Sequence, residues 1–180
     1  MRAFIAADIP GNIRERLVEA ALSFDLSDIK VVDKRNMHFT LAFLGELENR
    51  RTDIVKNSID KIRFEAFDID IKGIDYFGSP GAIYSAVTSG ADKINELANS
   101  LRVELAFSDV YFDKKDFVPH VTIARMKRRV DEKVLMDALC KFADKEFGSY
   151  TLDTISLFKS VLGPNGPEYE KLYERKASDA

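Results

Sequence analysis

The chain has 180 residues, 46% of them hydrophobic, and a formal net charge of −3. That is enough for one domain with a real core; the charge excludes a protein coated in nucleic acid but allows a local basic patch. A single cysteine, Cys140, excludes an intramolecular disulfide and a cysteine-built metal site and fits a reducing, cytoplasmic setting. The apolar run Ala3 to Ala7 is too short for a signal-peptide core, and no stretch is long enough to span a membrane.

In chain order, Ala3 to Ile9 reads as a buried strand stopped by Pro10-Gly11, and Ile13 to Phe24 has helical spacing. Ile29 to Val32 is a short apolar run with the look of an edge strand. His38 to Leu44, ended by Gly45, reads as a strand rich in β-branched and aromatic residues. Asn49 to Phe64 is helical, with Ile54, Ile59 and Ile62 expected on its inner side. Phe67 to Phe77 alternates as a strand, and Gly78 to Gly81 is a turn. The order then repeats: a strand at Ile83 to Val87, a helix at Ala91 to Phe107, a strand at Phe117 to Met126, a helix at Val130 to Phe142 and one long strand at Thr151 to Val161. Turn residues from Gly163 to Pro167 and the segment Tyr169 to Arg175 add a last strand.

This order predicts a single domain over 1–180, built on an internal repeat of roughly 1–79 and 80–161 with a C-terminal strand over 162–176. The expected class is α+β and bilobal. Two pseudo-symmetric units of antiparallel sheet and helix would face each other across a central cleft.

One pattern is written twice. His38-Phe-Thr-Leu-Ala42 and His120-Val-Thr-Ile-Ala124 share the form His-x-Thr-[Leu/Ile]-Ala, and they contain the only two histidines of the chain. Threonine occupies six positions, so two histidines each followed by threonine at the same offset arise by chance about once in a thousand. On a strand, residues i, i+2 and i+4 share a face. His38, Thr40 and Ala42 are thus expected on one face, with Met37, Phe39, Leu41 and Phe43 on the other. His120, Thr122 and Ala124 repeat the arrangement.

Imidazole titrates near 6.5 and both donates and accepts protons near neutrality. Two histidines on opposite sides of a reacting centre supply base and acid in one turnover. Two hydroxyls beside them can bind the oxygens of that centre. A phosphodiester undergoing in-line displacement suits this set: one imidazole activates the nucleophile, the other protonates the leaving oxygen, and Thr40 and Thr122 hold non-bridging oxygens. The scheme needs no metal and no cofactor. A catalytic zinc takes three protein ligands, and each motif offers one. A lone strand histidine is more often structural than catalytic, but the duplication reverses that expectation here.

Arg125, Lys127, Arg128 and Arg129 follow the second motif directly. A basic segment beside the site suits an RNA backbone, and a solvated strand end is the competing reading. Arg125 is out of phase with His120 on an ideal strand and reaches the site only if the strand bends there. Phe43, Tyr76 and Phe77 are candidates to stack a base.

These residues resemble the two-histidine phosphoesterase superfamily, and within it the RNA 2',3'-cyclic phosphodiesterases also described as 2'-5' RNA ligases. The segments that carry the resemblance are Arg2 to Pro10, His38 to Glu46, Phe117 to Arg125 and Ser160 to Tyr169, with Gly73 to Gly81 a weaker match. The resemblance implies hydrolysis of an RNA-terminal 2',3'-cyclic phosphate to a 2'-phosphate, with His38 the proton donor to the leaving 3' oxygen and His120 the acceptor that activates water. It implies phosphate binding by Thr40, Thr122 and Arg125. It further implies a partner RNA with a cyclic-phosphate end, tRNA halves among the candidates, and a weaker reverse reaction that joins ends by a 2'-5' bond. A monomer without membrane attachment is expected. Two alternatives stay open: a non-catalytic RNA-end-binding module, and a phosphodiesterase of small cyclic nucleotides or 2'-5' oligonucleotides.

Overall fold

The computed structural model describes residues 1–164 and 166–178; Asn165 of the expected turn lies outside the described residues, as do Asp179 and Ala180. The chain enters through β1 (Arg2–Asp8), α1 (Gly11–Leu22) and the short β2 (Ile29–Val31). Next come β3 (His38–Glu46), α2 (Thr52–Lys61), β4 (Phe67–Phe77), β5 (Ala82–Val87) and α3 (Ala91–Phe107). It finishes with β6 (His120–Met126), α4 (Glu132–Leu139), β7 (Glu146–Leu152), β8 (Thr154–Gly163) and β9 (Gly166–Lys176). No helix among the described residues is long and apolar enough to cross a membrane.

All nine strands join one antiparallel sheet in the order β7-β4-β5-β6-β3-β1-β8-β9, with β2 attached to β6. Two groups of four strands meet at the β3–β6 boundary, so the α+β, two-part character expected from the sequence is present. The fourth strand of each sequence half lies in the opposite group: β4 pairs with β5 and β7, and β8 pairs with β1 and β9.

The helices cover one face. α1 packs on β6 and β7, α3 packs on β3, and α2 packs on α3 and β9. Phe39, Leu41, Val121 and Ile123 of the two motif strands enter this core. The other face is covered only locally, by a small cluster of Phe4, Ala6 and Phe158 with Tyr169 packed against it. β1 contributes Ala3, Ile5 and Ala7 to the main core and Phe4 and Ala6 to the small one. Burial on both faces explains its unbroken apolar run.

Three expectations need correction. Val55, Ser58 and Ile59 are the buried residues of α2, whereas Ile54 is exposed; the helix starts at Thr52, after a 3-10 turn at Asn49–Arg51, which rotates its phase. The expected long strand from Thr151 is two strands that meet at Asp153, and β7 carries no strand pattern because its buried residues, Phe147 and Leu152, are not in alternation. The third correction concerns the motifs. In β3, Ile5 pairs with Ala42 and Ala6 with Thr40, so Leu41 is left over. In β6, Ile83 pairs with Ala124 and Tyr84 with Thr122, so Ile123 is left over. Both are bulges, two residues against one, and each reverses the alternation beyond it. Ala42 and Ala124 therefore turn into the core rather than sharing the face of the histidines.

This phase change is testable by unfolding in urea. Ala42 is 1% exposed and Phe43 52% exposed. Ala42→Asp is expected to cost on the order of 3 kcal/mol or more, because it buries a carboxylate without a partner. Phe43→Asp should stay within about 1 kcal/mol of the parent. An unbulged strand would reverse that order.

Candidate active site

The site is built where β3 and β6 touch. Their described ladder is one pair long, Phe39 with Val121. In antiparallel register that pair sets His38 across from Thr122 and Thr40 across from His120. Beyond it β3 leaves, and β2 takes its place beside β6, pairing Val31 with Ala124, Lys30 with Arg125 and Ile29 with Met126. On the other strand, the Asp113 amide donates to the Phe43 carbonyl. The opening between the parted strands is a cavity of about 970 Å³. Its wall includes His38, Thr40, His120 and Thr122, so the four motif side chains expected together line one space.

Arg125 lines the same cavity. The bulge at Ile123 brings it back into phase with His120, which an ideal strand would not do. The bulge at Leu41 does the same for Phe43, at the same offset from His38. Of the other aromatic candidates, Phe77 packs edge-on against His120, 5.0 Å between ring centres, and stacks on Tyr84 at 4.1 Å. The Tyr76 hydroxyl instead donates to Glu132 at 3.2 Å, away from the cavity.

Aromatic rings fix both imidazoles. Phe4 of β1 stacks on His38 at 4.8 Å, and Tyr169 of β9 meets it edge-on at 5.4 Å. Tyr84 of β5 meets His120 edge-on at 5.4 Å. Each ring is also held by the backbone two residues before it. His120 Nδ1 donates to the Val118 carbonyl at 2.6 Å, and the His38 ring hydrogen-bonds the Asn36 backbone. A carbonyl on Nδ1 fixes the proton there and leaves Nε2 for chemistry. Asn36 is placed by a 3-10 turn at Lys34–Asn36, capped by the Asp33 carboxylate on the Arg35 amide.

Comparison with known proteins identifies the family. The family model for the 2'-5' RNA ligase superfamily matches residues 10–163. The chain belongs to that superfamily. A Methanocaldococcus jannaschii relative named RNA 2',3'-cyclic phosphodiesterase is 35% identical, over 97% of this chain and 99% of its own. A Thermotoga maritima relative with the same name is 33% identical over 97% and 94%. Among solved structures, a Thermus thermophilus protein overlays with a TM-score of 0.79 at 25% identity, covering 98% of this chain and 97% of its own. The Escherichia coli LigT structure with ATP overlays with a TM-score of 0.80 at 24% identity, covering 99% and 98%, and carries the fold alone.

Other residues of the cavity wall carry no motif. Tyr169, Lys30, Lys34, Arg35 and Asn36 also line the cavity. They come from β2, the 3-10 turn and the β8–β9 hairpin, and only strand pairing brings them in. The hairpin is tied across the opening by the Asn36 side-chain amide, which donates to the Pro167 carbonyl at 2.7 Å. Among the described residues no group of three or more His, Cys, Asp or Glu side chains is placed to hold a metal ion.

Burial sets the protonation of both histidines. It pushes His38 from the ordinary 6.5 down to about 4, against the raising effects of the Asn36 backbone and the Asp8 carboxylate. His120 is also pushed down, mainly by burial and further by the Arg125 charge, against the Val118 carbonyl. Between pH 6.5 and 4 the unfolded chain binds a proton that folded His38 refuses. Neutral His38 therefore contributes stability that is fully present above pH 6.5 and is lost as pH falls through about 4, a loss of roughly 3 kcal/mol. Denaturant unfolding of the parent and of His38→Gln at pH 7 and 4.5 checks this. The variant should lose about 2 kcal/mol less than the parent between those pH values, and equal losses would contradict the assignment.

Proposed function

We propose that this superfamily member is an RNA 2',3'-cyclic phosphodiesterase that works by two-histidine acid–base catalysis. The observation that supports this most strongly is the presence of both His-Thr pairs on the wall of one cavity with a basic rim. The names of the full-length relatives support the substrate class.

In this reading the cyclic phosphate sits between the histidines, its non-bridging oxygens accepting from Thr40 and Thr122, with Arg125 adding positive charge. His120 Nε2 takes a proton from water as the water oxygen attacks phosphorus. The P–O3' bond breaks, and His38 Nε2 gives its proton to the departing 3' oxygen. The products are a 3'-hydroxyl and a 2'-phosphate, and a further proton exchange with solvent resets both rings. With an RNA 5'-hydroxyl in place of water as the nucleophile, the same steps break the P–O3' bond and form a 2'-5' bond, at a lower rate. RNA fragments such as tRNA halves are suitable substrates, and a cytoplasmic monomer is the setting this reading assumes.

The test is hydrolysis of a short RNA ending in 2',3'-cyclic phosphate, with a chelator present. A 2'-phosphate product is expected, with kcat lowered at least about 100-fold in His38→Ala and in His120→Ala. Parent-like rates in either variant would refute the scheme. The pH dependence follows from the burial of the two rings. kcat/KM reports the free enzyme, where both values lie below 6.5, so its maximum is expected below pH 6.5. The bound phosphate anion favours imidazolium, so the kcat maximum should lie at higher pH. A kcat/KM still rising at pH 7.5 would count against the acid–base pair.

A further inference from the structure

We propose that Arg102, which lies outside the cavity wall, is a positioning residue for His120: it holds residues 112–119, whose Val118 carbonyl orients the imidazole. This rests on the reading of His120 as the base that activates water.

Residues 110–119 join α3 to β6 without helix or strand. Lys114, Lys115 and Asp116 are exposed, and Val118 is 44% exposed, so the Val118 side chain does not anchor its own carbonyl. That carbonyl nonetheless accepts from His120 Nδ1 at 2.6 Å. An irregular surface segment with few buried contacts of its own is mobile unless its neighbours fix it. Here the fixing has to come from the residues on either side of the exposed ones.

Arg102 supplies it. α3 is a firm support, with Leu101 and Leu105 fully buried and the helix packed on β3. From it the Arg102 guanidinium reaches the segment at three points. It lies over the Phe112 and Phe117 rings, 5.9 and 5.4 Å from their centres. Its Nη1 donates to the Lys115 carbonyl at 3.1 Å. The Asp113 amide, on the Phe43 carbonyl, fixes the near end of the segment. From 114 to 119, among the described residues, the bond from Arg102 is the one hydrogen bond to an element other than β6. Phe117 directly precedes Val118, so a ring held under the guanidinium sets where the carbonyl points.

The contact also carries a cost. Arg102 Nε is buried and has no hydrogen-bond partner among the described residues. A buried donor left unpaired lowers stability, and packing alone would be served as well by an apolar side chain. The guanidinium adds what an apolar chain lacks, a donor for the Lys115 carbonyl in a plane set by two rings. Charge is not the means, because the cation that lowers the proton affinity of His120 is Arg125. With the Val118 carbonyl in place, the ring proton stays on Nδ1 and Nε2 is free to accept one from water. With the carbonyl displaced, the proton can move to Nε2, and that tautomer is the wrong one for a base.

The experiment measures kcat and KM on a short RNA ending in 2',3'-cyclic phosphate, and the 15N signals of both histidines at about pH 8, where the rings are neutral. The proteins are the parent, Arg102→Met, which keeps an apolar stem between the rings, and Arg102→Lys, which keeps the charge. In Arg102→Met kcat is expected to fall by about tenfold to a hundredfold. KM should stay within about twofold, since the change lies off the cavity wall. Part of the His120 signal should shift to the Nε2-protonated form, while His38, hydrogen-bonded to the Asn36 backbone, keeps its parent signal. Arg102→Lys lacks the planar head and should show the same change at His120 alone, with kcat lowered at least about threefold; it decides the matter if Arg102→Met does not fold. An unchanged His120 signal or a parent-like kcat in a folded variant would overturn the inference. Equal changes at both histidines would overturn it too, because they mark a general loosening. Absence of turnover by the parent would overturn the phosphodiesterase reading, and the 15N signals would still show whether Arg102 fixes His120.

Discussion

One backbone pair, Phe39 with Val121, joins the two groups of strands in this sheet. The geometry of the cavity depends on that pair and on the ladder stopping there. A longer β3–β6 ladder would close the opening. A one-residue slip of either strand would turn its own histidine into the core, because strand side chains alternate with period two. The pair is held from behind: Phe39 and Val121 are fully buried under the helices. The apolar half of each motif thus anchors the strand crossing that positions the polar half.

The two bulges are the second structural device. They follow the threonine in both strands, and each sends the next small residue, Ala42 or Ala124, into the core. The alanines are explained by that tight inward turn. The same phase change delivers different side chains to the cavity, an aromatic ring at Phe43 and a guanidinium at Arg125. The motif strands are therefore alike through their first five residues and diverge at the sixth, Phe43 against Arg125.

Much of this was legible in the sequence. Two histidines, each followed by threonine at the same offset in strand-like runs, were enough to pick out His38, Thr40, His120 and Thr122. The α+β class followed from the alternation of strand and helix patterns. What the pattern hid was anything set by non-local pairing. Period-two alternation assumes an unbroken ladder, so by itself it puts Ala42 and Ala124 on the wrong face and Arg125 out of phase with His120; only the resemblance included Arg125. Lys30 and Tyr169 carry no motif and enter through the β2–β6 and β8–β9 ladders. The packing of Phe4 and Tyr169 on His38, and of Phe77 and Tyr84 on His120, likewise depends on strands far apart in the chain. That packing dries the imidazoles and lowers their proton affinity.

Because the chain has only two histidines, the central claim, that both act on one phosphate, has a direct spectroscopic test. The measurement is a pH titration of the two imidazole signals by NMR in protein labelled with 15N at histidine, with and without a nucleoside 2'-monophosphate. The account predicts that both signals titrate below 6.5 in the free protein, that Nδ1 is protonated in the neutral form of each ring, and that the phosphate raises the titration midpoints of both. A midpoint that moves for one histidine alone, or for neither, would contradict it.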